Sequence, residues 1–224
     1  MLQLPESGTA RATPVRPARP GQLSIWVTDP DRPRPCLLAD LVSRIAERHH
    51  LVASVSQPAG AGWDPLNVHP AEVSASPPER LDVAVAPAGA PAGSPAHLIE
   101  PGAARPAVPD LAGADPLALR LALLQHPYRE VLTLGRDDLV AADAVLRHWR
   151  ELVSHWARSP SRPMCAEYVG DFLGALDADL DTPSALRSLA GLAGDQEIPD
   201  GAKFEAFAYL DRFLGLDLAR DVGK

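Results

Sequence analysis

The chain has 224 residues, 46% of them hydrophobic, and a formal net charge of -8. That length allows one or two domains with a substantial core, and the acid excess argues against binding nucleic acid through bulk charge. Two cysteines, Cys36 and Cys165, are too few for a disulfide scaffold or a multi-cysteine zinc site.

No run approaches the roughly 20 apolar residues that cross a bilayer. Residues 1–21 lack the apolar segment of a secretory signal, so a cytoplasmic protein with no membrane contact is expected. Three-quarters of the 24 prolines precede residue 111. The first half is therefore cut into short pieces, and the second has room for helices of ordinary length.

Residues 1–21 read as a flexible lead-in. Residues 23–28 have the composition of a strand, and Leu37, Leu38, Leu41, Val42 and Ile45 recur at helical spacing over 36–49. Leu51 to Ser56 alternates and is β-branched, which predicts a second strand. Strand, helix, strand is the seed of a parallel α/β sheet. Residues 57–80 read as a long loop, Leu81 to Ala86 as a third strand, and His97 to Glu100 as a last short one. The alanine, proline and glycine repeat over 86–95 reads as a mobile linker.

Beyond residue 111 the pattern is helical. Asp115-Pro116 is a start signal, an N-cap aspartate before proline at the first helical position. A helix follows to about Gln125. Leu139 through Trp156 form an apolar stripe of about five turns, and Val169 through Leu180 form another. Thr182-Pro183 opens a fourth helix with Leu186, Leu189 and Leu192, and Pro199 precedes a fifth with Phe204 and Phe207 inward. Five amphipathic helices with short joints specify a bundle.

The run Gly113 to Leu124, followed by His126-Pro127-Tyr128-Arg129, resembles the passage from catalytic to helical domain in cysteinyl-tRNA synthetases and the related mycothiol-pathway cysteine ligases. The phenylalanine–leucine helix ending in Asp179-Leu180-Asp181-Thr182-Pro183 is similar to a further family pattern. The resemblance covers residues 111–215. Less specifically, Leu23 to Pro30 lies where the family has its first catalytic strand, and the segment with Asp40 and Arg44 resembles its first nucleotide-binding unit. The resemblance implies an α+β chain with three parts. These are the lead-in (1–21), a reduced Rossmann-like α/β remnant (22–110), and an all-α bundle of the class I synthetase anticodon-binding type (111–224).

The family's chemistry is not matched residue for residue. Its His-Ile-Gly-His-like turn holds ATP phosphates at a helix N-terminus, where this chain has Asp31-Arg32-Pro33-Arg34-Pro35. Its lysine-rich loop has no counterpart, because the only lysines are Lys203 and Lys224. Thr28 stands where the first zinc cysteine is expected. There is no phosphate-loop or nucleophile-elbow motif either. The resemblance therefore implies no catalytic, cofactor-binding or metal-binding residues.

Other features have ordinary readings beside sharper ones. Asp177, Asp179 and Asp181 look like a calcium-loop fragment, against a helix end followed by a cap. Cys36 follows two Arg-Pro pairs that could lower its pKa, against a small helix-start residue. Candidate contacts to tRNA or a protein partner are Arg120, Tyr128, Arg129, Arg147 and Arg150, since arginine and aromatic groups suit phosphate, stacking and interface hot spots. The competing reading is helix-face ion pairs to Asp115, Asp143 or Glu151. The bundle carries a net charge of -6 over 111–224, which favours protein over RNA. Two alternatives to a non-catalytic binding or regulatory factor stay open: an ATP-dependent cysteine ligase relative with a rebuilt site, and a decaying paralogue. An exposed edge of the shortened sheet is where a homodimer would form.

Overall fold

The computed structural model describes residues 1–9, 11–60, 62–90, 92–106 and 115–224. The expected boundary at 110/111 and the Gly113-Ala114 part of the family pattern lie outside the described residues, as does Pro91 of the linker.

The chain opens with a hairpin of β1 (Gln3–Pro5) and β2 (Ala12–Pro14). The flexible lead-in expected over 1–21 thus gives way to paired strands. The physical reason is apolar anchoring: Leu2 and Leu4 are 2% and 0% exposed. The hairpin lies along the sheet edge, where the Ser7 N–H donates to the Ala96 carbonyl at 3.0 Å.

The sheet comprises β3 (Gln22–Val27), β4 (Val52–Gln57), β5 (Glu72–Val73), β6 (Val83–Val85) and β7 (His97–Ile99). All five are parallel, in the order β5-β4-β3-β6-β7. Helix α1 (Pro33–Arg48) makes the crossover from β3 to β4. Alternation along β3 sends Leu23, Ile25 and Val27, each fully buried, into the cluster with the leucines of α1. Ser24 and Trp26 take the other face. Among the described residues the remaining crossovers carry no full helix. Part of the long loop expected over 57–80 forms a short helical turn, Asp64–Leu66, and β5.

The second half contains α2 (Pro116–Leu124), α3 (Arg136–Trp156), α4 (Ala166–Asp177), α5 (Thr182–Gly194) and α6 (Asp200–Leu214). The five helices expected there are present. Asp115 caps α2 by accepting the Leu117 N–H at 3.0 Å, and Asp181 caps α5 by accepting the Ser184 N–H at 3.0 Å. Trp149 and Trp156 meet Phe207 edge-on at 6.1 and 5.1 Å between centroids. Unanticipated is a two-stranded parallel pair, β8 (Ala104–Pro106) with β9 (Leu132–Leu134), which stitches the end of the first half to the bundle.

One buried ion pair holds α1 to the bundle. The Arg120 guanidinium lies 2.7 Å from the Asp40 carboxylate, with neither side chain exposed. Asp40 also takes Arg44 at 2.8 Å and the His69 N–H at 3.0 Å. The other Arg120 nitrogens donate to the carbonyls of Leu66 at 2.9 Å and Leu214 at 2.5 Å. Gly215 permits this approach. It ends α6 with φ of 64°, and a Cβ there would stand 2.9 Å from the guanidinium.

Burial pushes the Asp40 carboxyl up, and Arg120 and Arg44 more than reverse it, leaving it below the ordinary carboxylate range. A depressed carboxylate contributes stability that is present above its unfolded pKa of about 4 and lost as pH falls below it. Arg120→Met, which removes the charge and keeps the volume, should lower unfolding free energy in urea by about 3 kcal/mol, because the buried Asp40 is left with Arg44 as its only arginine partner. Adding Asp40→Asn should restore part of the loss, and single and double variants should converge in acid. A loss under about 1 kcal/mol for the single variant would mean that the pair does not hold the halves together.

Candidate functional site

A parallel sheet with the order β5-β4-β3-β6-β7 has its switch point between β3 and β6. The chain leaves β3 toward β4 on one side, and β6 lies on the other. Ligand crevices in such sheets lie outside the carboxyl ends of the strands at that point. A cleft of about 600 Å³ opens there, lined by Asp29 after β3, Pro87 after β6, Glu100 after β7, Arg32 and Pro35 of the α1 start, and Arg129 and Val131 from the bundle.

The start of α1 is unusual for a ligand-binding turn. Helix N-termini bind anions through free backbone N–H groups. Pro33 and Pro35 have none, and between them Arg34 is 2% exposed. The Arg34 guanidinium donates to the carbonyls of Gly102 at 3.1 Å, Pro127 at 2.7 Å and Glu130. Its Nε is buried without a partner among the described residues. Gly102 makes room for this closure, since a Cβ there would lie 2.2 Å from the Glu130 carbonyl oxygen. Trp63 donates its indole N–H to the Pro30 carbonyl at 2.9 Å, fixing the exit from β3.

Cys36 is not activated. Burial first, then the charges of Asp29 and Asp31, push its thiol up to about 12. The Arg-Pro pairs do not lower it, because Arg34 points its charge into backbone carbonyls. Thr28 donates its hydroxyl to the Val85 carbonyl at 3.4 Å.

The five arginine and tyrosine candidates separate. Arg120 is fully buried in the Asp40 pair, and Arg150 is 2% exposed. Arg150 bonds Asp115 at 2.6 Å and the Leu216 carbonyl at 2.7 Å. Both side chains of these contact candidates are thus buried in intramolecular bonds. Arg147 is exposed and pairs with Asp143 at 3.0 Å. Tyr128 is 5% exposed and donates its hydroxyl to Asp179 at 2.8 Å, while Arg129 stacks on the Tyr128 ring at 4.5 Å and also pairs with Asp179. Of the five, only Arg129 lines the cleft.

Asp179 and Leu180 occupy the left-handed region, with φ of 58° and 56°. Such a conformation costs a non-glycine residue on the order of 1 kcal/mol. Burial of Leu180 and the Asp179 N–H bond to the Gln3 carbonyl at 3.1 Å hold the turn. The three aspartates have separate partners rather than a shared centre: Asp177 takes Arg48 and His49, each at 2.6 Å, Asp179 takes Tyr128 and Arg129, and Asp181 caps α5.

Nothing in the sequence marks Arg34 or Gly102 as cleft residues, and Asp40 belongs to the buried joint. An aspartate one turn before an arginine in an otherwise apolar helix was the available signal for Asp40.

No family model matches the chain. Over 111 residues it is 38% identical to the L-cysteine:1D-myo-inositol 2-amino-2-deoxy-alpha-D-glucopyranoside ligase of Thermomonospora curvata, a match over 47% of this chain and 26% of the relative. The ligase of the same name from Thermobifida fusca is 35% identical over 114 residues, covering 49% and 26%, and that of Catenulispora acidiphila is 43% identical over 91 residues, covering 40% and 20%. Over about half its length, this chain is homologous to these cysteine ligases. It spans about a quarter of the length of the curated relatives it matches.

For this ligase homologue, closure of α1 onto the bundle rests on the absence of a side chain at residue 102. Gly102→Ala should lower the melting temperature, with a loss of roughly 1–3 kcal/mol, as overpacking usually costs. A variant within about 0.5 kcal/mol of the parent would show that the loop relaxes freely around Arg34.

Proposed function

We propose that this chain is a non-catalytic, ligase-like protein that binds a macromolecular partner. The observation that carries this reading is the start of α1. The turn at the switch point begins Pro33-Arg34-Pro35, so it lacks two of the N–H groups a triphosphate would need. The arginine between the two prolines is bonded to backbone carbonyls rather than free to meet a phosphate.

The groups the resemblance implies do not fit this donor set. A thiol-reading zinc needs deprotonated sulfur, and Cys36 is held protonated. Thr28 is turned to a carbonyl, and Cys165 lies at the start of α4 in the other half.

In this reading, the helices from Pro116 onward form a bundle of the synthetase anticodon-binding type that has kept a binding role. Its net charge of -6 favours a protein partner over tRNA. The accessible candidates are Arg129 and Arg147, with Tyr128 holding Arg129 in place. Pairing with a second copy would use the edge formed by β5 and the uncovered start of β4, where Val73 and Val52 are 66% and 72% exposed, since the hairpin covers the β7 edge.

A second reading has one observation in its favour. The switch-point cleft remains open, with Arg32, Glu100 and Arg129 on its rim, and a rebuilt ligase site would lie there.

The test has two parts. Purified protein with cysteine and ATP should show no cysteine-dependent exchange of pyrophosphate into ATP. Tagged protein from its own host should retain a stoichiometric protein, and Arg129→Ala or Arg147→Ala should weaken that retention by about tenfold or less, as for a rim contact. Cysteine-dependent exchange above background would overturn the non-catalytic reading. Retained tRNA that is released by moderately raised salt would replace the protein partner with RNA.

A further inference from the structure

At the opposite end of the strands from the cleft lies a second hollow, of about 310 Å³. Its residues come from the start of the sheet. Ser24 of β3 and Ser54 of β4 are register partners on the face away from α1. Arg19 precedes β3, and Arg80 and Asp82 precede β6. Gln22 and Glu79 complete the polar lining.

The balance of donors and acceptors here is uneven. Asp82 is 5% exposed, and both its oxygens are used. One accepts the Ala18 N–H at 2.7 Å, and the other the Ser24 N–H at 2.9 Å. Its charge is therefore turned to the backbone beneath the hollow. Arg19 and Arg80 enter no ion pair or hydrogen bond of their side chains among the described residues. With the Ser24 and Ser54 hydroxyls and the Gln22 amide, they supply unengaged donors, opposed by the Glu79 carboxylate and by that of Asp82, whose two oxygens are already taken by backbone N–H groups. The sequence adds to this charge. Between Glu6 and Asp29 the chain carries Arg11, Arg16 and Arg19 and no acidic residue, in a protein of net charge -8.

We propose that this hollow binds a phosphoryl group, with the Arg19 and Arg80 guanidiniums as charged donors and the Ser24 and Ser54 hydroxyls as neutral ones. Guanidinium forks match the oxygens of a phosphoryl dianion and form strong charge-assisted hydrogen bonds. The volume is at the small end of ligand pockets, which limits the ligand to inorganic phosphate or a small phosphate ester. Asp82 positions the two sides of the hollow by tying residue 18 to β3. The site shares no residue with the cleft, so it stands or falls separately from the non-catalytic reading.

The experiment uses the full chain. Inorganic phosphate and glycerol phosphate are titrated by calorimetry and by thermal shift, with chloride at matched ionic strength as the control. The expected result is saturable phosphate binding and a raised melting temperature. Arg19→Gln and Arg80→Gln should each weaken binding by about tenfold. Glu79→Gln should strengthen it by roughly threefold, because a like charge is removed from the rim. Tighter binding of the ester would identify a phosphorylated metabolite as the ligand, and the reverse order would identify free phosphate. A phosphate response no larger than that of chloride would overturn the proposal. So would unchanged affinity in both arginine variants, which sit on the surface and should fold normally.

Discussion

Asp40 and Arg120 meet with no water on either side chain, and the joint between the two halves depends on that contact. A carboxylate in the middle of α1 would be costly on a face that packs inward. It is tolerated because α2 brings an arginine to it, and because Arg44 and the His69 N–H fill its remaining acceptor sites. Arg120 in turn uses Asp40 together with the carbonyls of Leu66, Asn67 and Leu214. A buried ion pair adds little net stability over an apolar pair, but it fixes which partner and which register are allowed. Here it sets how α1 sits against α2 and the end of α6.

A second arginine crosses the joint in the opposite direction. Arg34, from the start of α1, reaches the carbonyls of Pro127 and Glu130 in the loop after α2. The two crossings share a logic: one long cation satisfies several carbonyls that the chain leaves free at loop and helix ends. Their effects on the site differ. Arg120 works deep in the core and leaves the cleft alone. Arg34 works at the turn where a doubly wound sheet holds its ligand, and it points its charge into the protein rather than toward a substrate. Pro33 and Pro35 act in the same sense by removing backbone donors.

The helices of the second half were legible because each carries its own start signal and stripe: Asp115-Pro116, Thr182-Pro183, and the run from Leu139 to Trp156. The strand–helix–strand unit was legible for the same reason. What could not be read is everything set by contacts distant in sequence. The hairpin at 3–14 is made by Leu2 and Leu4 finding a core and by Ser7 meeting the β7 edge, and nothing within residues 1–21 announces either. The pairing of β8 with β9 joins segments nearly thirty residues apart. Arginines were the hardest to place. Arg120, Arg129, Arg147 and Arg150 look alike in sequence, yet two are buried among carbonyls and carboxylates, one is held on an aromatic ring at the cleft, and one lies on an open helix face.

The placement of Arg129 is the most informative of these, because its neighbours are arranged at a cost. Asp179 reaches Tyr128 and Arg129 from a turn in which two consecutive non-glycine residues have positive φ. Burial of Leu180 and the contact with Gln3 hold that turn, so β1, α4, α5 and the loop after α2 all act on one guanidinium at the rim of the cleft. A surface ion pair by itself would be worth little. An arginine stacked on Tyr128 at 4.5 Å and fixed by a strained carboxylate has lost most of its freedom before any partner arrives. Less ordering entropy then remains to be lost at Arg129, should it meet a partner, than at Arg147, which is held by the single Asp143 pair on an exposed helix face.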